Sequence, residues 1–197
     1  MKTFLTELKH SVIITIVFVV VCSGLYPVIV WGAGQLLFSH KANGSLIEKD
    51  GKVIGSELLG QPFSSDKYFH PRPSAAGTGY DASASSGTNL GPTSQKLSDN
   101  VKAAVEQYRK ENGLAADALV PGDAVTSSGS GLDPHISVKN AQLQAPRIAK
   151  ARSLDIKQVL ADIEQYTDGR QFGILGEPGV NVVRLNLALD AEVKPEH

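Results

Sequence analysis

Charge is missing from one long stretch near the N-terminus of this 197-residue chain. No Asp, Glu, Lys or Arg occurs in the 28 residues from Ser11 to Phe38, and Ile, Val, Leu, Phe and Trp fill most of them. A helix of that length spans about 42 Å, whereas the hydrocarbon core of a bilayer is about 30 Å thick. The stretch therefore predicts a single transmembrane helix behind a short tail at residues 1–10.

A cleavage site is also missing from this stretch. A secretory signal peptide has an apolar region of about 7–15 residues that ends in small residues, and the run here is much longer. A lipoprotein signal is disfavoured as well, because Val20 and Val21 precede Cys22 where a small residue is normally needed. We therefore expect an uncleaved anchor.

Cysteine is almost absent, since Cys22 is the only one and lies inside the apolar stretch. Disulfides within one chain and cysteine metal sites are thereby excluded. The five histidines form no ligand-spaced pair; they are His10, His40, His70, His135 and His197. We predict no metal site.

Basic side chains do not cluster after the anchor. Residues 39–197 hold 17 basic and 19 acidic side chains, because Lys2, Lys9 and Glu7 come before them. Without a basic stripe or interleaved aromatics, nucleic acid is not an expected partner.

The charge bias around the helix is small and leans towards a cytoplasmic tail, with residues 39–197 as an extracytoplasmic domain.

Small residues and a proline interrupt the apolar stretch. Pro27 removes a backbone donor and permits a kink, and Gly24 would let another helix approach closely. These residues indicate either an ordinary kinked anchor or a helix that docks on a larger membrane protein.

Hydrophobic spacing predicts one mixed α+β domain after the anchor. Two apolar runs flank Asp50-Gly51, a pair typical of a type I′ turn, and predict a hairpin over residues 45–59. Three helices follow with caps at Thr93 or Ser94, at Ser137 and at Asp155, and Pro146 interrupts the second. Apolar residues from Val180 to Leu189 predict a final strand.

Large apolar side chains are scarce in residues 60–95, a segment rich in Gly, Pro and Ser. Such a long loop in a compact domain is usually functional or disordered. We favour a functional loop, because Phe69 and two prolines surround Arg72, whose guanidinium can bind carboxylates or carbonyls with several donors. Arg72 is therefore a candidate contact residue or buried clamp.

Asp133, His135 and Ser137 alternate, so an extended strand would place all three on one side. A serine hydrolase would use them as a triad, with Ser130 as another candidate nucleophile. Ser137 is better placed as a helix cap, however, and no Gly-x-Ser-x-Gly turn is present. A turn in which Asp133 and His135 are structural is the favoured interpretation.

A phosphate-binding lysine is missing from both Gly/Ser-rich stretches, residues 85–91 and 127–131. A P-loop needs that lysine and a helix directly behind it. The backbone amides of such stretches can still form an anion nest, so a tethered binding or sensor domain remains an alternative.

Several stretches resemble one family, the C subunit of the Kdp-type potassium-transporting P-type ATPase. Their order and spacing, together with the N-terminal anchor, match across nearly the whole chain. The matching stretches are Gly55–Phe63, Tyr68–Ala75, Ser85–Pro92, which contains Asn89, then Val120–Thr126, Ser128–Ser137, Leu175–Val182 and Leu185–Asp190.

The resemblance implies a single-pass accessory subunit of a bacterial plasma membrane pump. Its partners would be a potassium-channel-like subunit and an ATP-hydrolysing subunit. ATP and potassium would act at the level of the complex, with no cofactor assigned to this chain. The phosphorylated Asp-Lys-Thr-Gly motif is lacking here, because Asp66-Lys67 is followed by Tyr68, so catalysis is expected on a partner. Asn89 joins Gly24, Pro27, Arg72, Asp133 and His135 as candidate contact residues.

The family is also described as a catalytic chaperone that raises the ATP affinity of the pump subunit, with its soluble domain outside the cytoplasm. ATP is cytoplasmic, so a domain across the bilayer cannot touch it. Either the orientation is reversed or the effect passes through the membrane subunits as a coupling free energy. We favour coupling, or a role in assembly and at the ion entrance.

Overall fold

A computed structural model describes residues 2–192 and divides them into two compact units at the junction of Ser56 and Glu57. The first unit contains the N-terminal helix and a hairpin, and the second contains four α-helices and a three-stranded sheet. The predicted class, one apolar N-terminal helix followed by a mixed α+β region, is confirmed.

The N-terminal helix is longer than the uncharged stretch that predicted it. Helix α1 covers Lys2–Phe18, a π-helical segment covers Val19–Leu25, and α2 covers Tyr26–Ala42. An 18-residue window within Thr3–Ala42 has a mean hydropathy of 2.6, and none of that window is buried in the protein. Of the helices in residues 2–192, this one alone is long and apolar enough to cross a membrane. Residues from Lys2 to His10, expected as a tail, are part of the helix.

Pro27 lies at the start of α2, immediately after the π-helical segment. Its ring lacks an N–H and would clash with the carbonyl four residues earlier, that of Ser23. The wider turns of the π segment relieve this conflict, since π-bulges commonly interrupt helices at such points. A second irregularity lies at Phe38, whose φ of −142° and ψ of 42° are not helical.

A hairpin follows the helix, as the sequence predicts. Strands β1 (Leu46–Lys49) and β2 (Lys52–Ser56) pair antiparallel. Asp50 has a φ of 52° and Gly51 a φ of 72°, the positive angles of a type I′ turn.

Three helices begin at the caps that the sequence predicts. Ser94, Ser137 and Asp155 accept backbone N–H groups at the starts of α3 (Gln95–Glu111), α4 (Val138–Arg152) and α5 (Ile156–Gln165). The predicted interruption at Pro146 is wrong, because α4 continues through it. Ala145 and Ile148, on either side of that proline, are fully buried in the core, and this packing outweighs the lost hydrogen bond.

The predicted strand from Val180 to Leu189 is also wrong for most of its length. Only Gly179–Asn181 forms a strand, β5, and Val182–Glu192 forms helix α6. The buried residues Val182, Leu185 and Leu189 recur at helical spacing, which had been mistaken for a slipped alternation.

The sheet has the order β3-β5-β4 and is antiparallel throughout. Strand β3 covers His135–Ser137 and β4 covers Thr167–Asp168. Helices α4 and α6 pack on the sheet and α5 packs on α4. The core that they share includes Phe69, Ile136, Ile148, Val159, Val180 and Leu185. Phe69 brings the irregular segment before α3 into this core.

Candidate functional site

The segment from Asp66 to Ser74, here called the clamped loop, has no helix or strand of its own, and buried side-chain amides hold its centre. Asn186 in α6 accepts the N–H of Phe69 at 2.8 Å and donates to its carbonyl at 3.0 Å. Gln144 in α4 makes the same pair of bonds to His70, at 2.7 and 3.0 Å. The backbone N–H and C=O groups of two consecutive residues are therefore hydrogen-bonded as they would be in a sheet, but to side chains.

Two arginines hold the start of the clamped loop. Arg147 donates to the carbonyl of Tyr68 at 3.0 Å. Arg152, whose side chain is 4% exposed, donates to the carbonyl of Lys67 at 2.6 Å and to the carboxylate of Asp190 at 2.7 Å. The guanidinium of Arg152 also stacks 5.0 Å from the centre of the Tyr68 ring.

Arg72 lies at the far end of the clamped loop and begins a row of alternating charges, here called the charge chain. Its guanidinium donates to Asp133 at 3.2 Å and to the carbonyl of Ser127 at 3.3 Å. The imidazole of His135 lies 3.5 Å from Asp133 on one side and 2.9 Å from Asp168 on the other. Arg184 in α6 closes the row at 3.3 Å from Asp168.

The charge chain shifts the proton affinity of its members. Hydrogen bonding to Asp133, and then to Asp168, raises the pKa of His135 although burial opposes this. Burial acts to raise the pKa of Asp133, but hydrogen bonds from His135 and the charge of Arg72 overcome it and leave that pKa below its usual value. Both shifts favour the charged forms of His135 and Asp133. The charge chain is therefore an electrostatic link between the clamped loop and strand β4.

The same geometry argues against a serine hydrolase. Both imidazole nitrogens of His135 face carboxylates. The hydroxyl of Ser137 donates to Asp123 at 2.9 Å and accepts the N–H of Asn140 as a helix cap. Neither the base nor the nucleophile that a triad needs is therefore available in this arrangement.

The two Gly/Ser stretches bind each other. Ser86 donates its N–H to the carbonyl of Ser130 at 3.0 Å, and the N–H of Gly131 is bonded to Ser128 at 2.9 Å. Gly131 has a φ of 68°, and a Cβ added there would lie 2.5 Å from the carbonyl oxygen of Ser86. These amides, which an anion nest would need, are occupied within the fold.

Two clefts lie beside these residues. One of about 460 Å³ lies between the clamped loop and helices α3 and α4, with Arg72, Tyr80 and Tyr108 in its wall. Burial raises the pKa of Tyr80 to about 12, so its phenol stays protonated. The second, of about 740 Å³, lies along His135 and Asp168. Residues 2–192 contain no group of three or more His, Cys, Asp or Glu that could hold a metal.

The other residues singled out from sequence are not members of the charge chain. Gly24 belongs to the π-helical segment, and Pro27 lies in the first turn of α2. Asn89 is exposed in the irregular segment before α3, with a φ of 52° that asparagine tolerates better than most residues.

Sequence reasoning missed the amides and acids that hold the clamped loop and the turn. Asp123 accepts from Ser137 and Asn140, and Gln144 and Asn186 hold the clamped loop. One signal was present, because Asn140 and Gln144 are spaced like Ala141, Ala145 and Ile148 on the buried face of α4. A polar amide on an apolar stripe must find a partner in the core.

Comparison with known proteins gives a consistent result. Residues 8–191 match the family described as KdpC: K+-transporting ATPase, c chain. A potassium-transporting ATPase KdpC subunit of Mycobacterium tuberculosis is 60% identical over 184 residues, covering 93% of this chain and 97% of the relative. The protein of that name from Myxococcus xanthus is 52% identical, covering 98% and 90%. That from Methylococcus capsulatus is also 52% identical, covering 95% and 98%. The resemblance seen in the motifs is therefore confirmed, and the chain belongs to the KdpC family of potassium-transporting ATPase subunits.

Proposed function

We propose that this chain is a non-catalytic accessory subunit that stabilises the association of a potassium-channel-like subunit with an ATP-hydrolysing subunit. The observation that carries the proposal is the mutual pairing of the groups most suited to chemistry. Arg72, Asp133, His135 and Asp168 bind one another, and Ser137 caps a helix. Such an arrangement supports a shaped, rigid surface better than a reaction centre.

Phosphorylation belongs to a partner in this proposal. A P-type pump phosphorylates the aspartate of an Asp-Lys-Thr-Gly motif, and the Asp-Lys pair here continues with Tyr68. The Tyr68 ring packs 5.2 Å from that of Phe63, and its hydroxyl donates to Asp190 at 2.9 Å. The Asp66-Lys67 pair is therefore part of the clamped loop, next to a tyrosine that the fold holds in place.

The effect on ATP passes, in this proposal, through the membrane as a coupling free energy. Residues 39–197 would lie outside the cytoplasm while the N-terminal helix docks between the membrane subunits. Couplings of about 1–3 kcal/mol change affinity about 5- to 150-fold. The chain would therefore lower the KM for ATP of the pump subunit without touching the nucleotide.

Arg72→Ala tests the proposal in intact complexes purified in mild detergent. The change removes the counter-charge of Asp133 and the bond to Ser127. We expect lower recovery of the two larger subunits and a higher KM for ATP in potassium-dependent hydrolysis. Arg72→Lys should be intermediate, because lysine keeps the charge without the planar fork.

Lys157→Ala serves as the matched control, since Lys157 is an exposed cation on α5. If Arg72→Ala and Lys157→Ala give the same recovery and the same hydrolysis curve, the role assigned to Arg72 is wrong. If wild-type chain brings down no larger membrane proteins, the accessory-subunit proposal itself fails.

Orientation has a separate test in intact cells. Single cysteines replace the exposed residues Leu119 or Ser83 on a Cys22→Ser background. An impermeant thiol reagent should label them from outside without lysis. Labelling only after lysis would reverse the proposed orientation and would allow direct contact with ATP.

A further inference from the structure

A turn between strands β4 and β5 exposes three apolar side chains within four residues. Phe172 is 91% exposed, Ile174 is 74% exposed and Leu175 is 54% exposed. Gln171 and Leu175 exchange two backbone hydrogen bonds of 2.9 Å, which close the turn. We call residues 170–176 the tip.

The backbone at Phe172 is strained. Phe172 has a φ of 53° and Gly173 a φ of 77°, so both are left-handed. Asparagine or aspartate usually occupies the first of these positions in such turns. A bulky side chain with left-handed φ costs about 1–2 kcal/mol, and nothing buried compensates for it here.

The base of the tip is fixed. Arg170 forms two hydrogen bonds of 2.8 and 2.9 Å with Glu177 across the turn. Asp168, just before it, is bound by His135 at 2.9 Å and Arg184 at 3.3 Å. The apolar side chains are therefore presented from a braced position.

Area and charge decide what the tip fits. A buried aromatic side chain contributes about 150–250 Å², so the tip offers a few hundred Å² in all, below the roughly 800 Å² per partner of a stable interface. Self-association through the tip alone is thus disfavoured. A bilayer surface is disfavoured too, because attraction to anionic lipid needs free cations, and the sole cation of the tip, Arg170, is paired with Glu177.

We propose that the tip docks by inserting Phe172 into an apolar pocket on another protein subunit of the pump, as one anchor of a larger interface. Aromatic side chains, Phe included, are enriched in the buried cores of protein interfaces, where a few anchors in pockets carry most of the binding energy. This inference rests on the proposed function, and it adds the surface and the chemistry of the contact.

Phe172→Asn is the main test, made in full chain co-expressed with its pump partners. Asparagine suits the left-handed angles and removes the ring, so folding is preserved. Leu119→Ser is the matched control, because Leu119 is 89% exposed elsewhere in the same unit. We expect Phe172→Asn to weaken retention of the partner subunits at least about tenfold on detergent titration, with Leu119→Ser unchanged.

Equal retention by the two variants would overturn the inference while leaving the accessory-subunit proposal intact. Absence of partners from the wild-type sample would instead remove the proposal on which it rests. A thermal melt of each variant alone separates lost docking from lost folding, and a Phe172→Asn melt well below wild type would require the conservative Phe172→Leu variant, which should dock more weakly than wild type.

A fluorescent probe at position 172 identifies what the tip contacts. Phe172→Trp on a Trp31→Phe background gives the chain a single tryptophan at the tip. Its emission should be that of exposed indole for the chain alone in lipid nanodiscs and should shift to the blue only when the partner subunits are present. A blue shift in nanodiscs alone would indicate lipid, and a shift with concentration in detergent would indicate a second copy; either result would overturn the inference.

Discussion

The clamped loop and the tip are both irregular segments, yet they differ in almost every physical respect. The clamped loop buries Phe69 completely, whereas the tip leaves Phe172 91% exposed. Backbone groups of the first are bound by side chains of α4 and α6, and those of the second are bound within the turn. The lack of regular secondary structure therefore says little about how firmly a segment is held.

What separates them is the origin of their hydrogen bonds. The clamped loop is bound to distant parts of the chain, such as Asn186, which lies 117 residues from Phe69. The tip closes on itself over four residues. Changes to the first should therefore affect the stability of the whole unit, and changes to the second should affect only what the tip contacts.

Among the variants that test this contrast, Asn186→Leu should lower the stability of the protein most. It leaves the N–H and the carbonyl of Phe69 buried without partners, at about 1–3 kcal/mol each. We expect the free energy of unfolding to fall by about 2–6 kcal/mol, measured by thermal or denaturant melts of the full chain in detergent. Asn100→Leu, at an exposed position in α3, should change it by less than about 0.5 kcal/mol. Similar losses in both variants would mean that the clamp contributes little.

Gly131→Ala and Gly173→Ala compare the two regions at matched backbone angles. Both glycines have positive φ, 68° and 77°. A Cβ at Gly131 would lie 2.7 Å from the N of Ala76, beside the clamped loop, whereas a Cβ at Gly173 meets nothing within 4 Å. Strain and overlap together predict a loss of about 2–5 kcal/mol for Gly131→Ala, and of only about 1 kcal/mol for Gly173→Ala. Equal melting temperatures for the two variants would contradict this.

The pH dependence of stability reports on His135, which lies between the two regions. Because its folded pKa is raised above the unfolded value of about 6.5, its stabilising contribution is complete below that pH and is lost as pH rises through the folded pKa. The lowered pKa of Asp133 acts in the opposite direction, and its contribution is lost as pH falls below about 3.9. Exposure and salt limit each pair to about 0.2–1 kcal/mol.

His135→Gln should therefore remove a small decline of the melting temperature that sets in as pH rises above about 6.5. The difference between variant and wild type should shrink in high salt, because the pairs are partly exposed. A decline of the same size in the variant would assign the pH dependence to other groups.

Phe172→Asn should destabilise the protein least of these variants, with any loss of stability within about 0.5 kcal/mol. The ring has almost no packing to lose, since it is 91% exposed, and asparagine relieves the left-handed strain. Melts of the chain alone measure this. A loss above about 2 kcal/mol would mean that the ring packs on the protein, and the contrast with the clamped loop would then fail.

Local signals were sufficient to predict the anchor, the hairpin and the starts of three helices. Each depends on neighbours in sequence: uncharged residues for the anchor, Asp50-Gly51 for the turn, and Ser94, Ser137 and Asp155 for the caps. Interactions over short range leave a readable pattern, so these elements appeared where they were expected.

Non-local interactions account for what was missed. Helix α6 was mistaken for a strand because a few apolar residues fit either period, and burial of Val182, Leu185 and Leu189 in the shared core favours the helix. Arg72 could be chosen as a clamp from its flanking prolines, but its partner Asp133 lies 61 residues away. Asp168 and Asn186 carried no local signature, because a short polar side chain looks the same in sequence whether it faces solvent or a distant backbone.

The π-helical segment Val19–Leu25 changes how the anchor presents its two halves. Successive residues of an α-helix are rotated by about 100° around its axis. The wider turns of the π-helical segment have a smaller rotation per residue. A stripe traced along α1 by three- and four-residue steps therefore does not continue along α2. A neighbour packed on the continuation of such a stripe in α2 faces a different side of the helix from one packed on α1, so a cysteine cross-linking scan along the anchor should show its pattern change phase between residues 18 and 26.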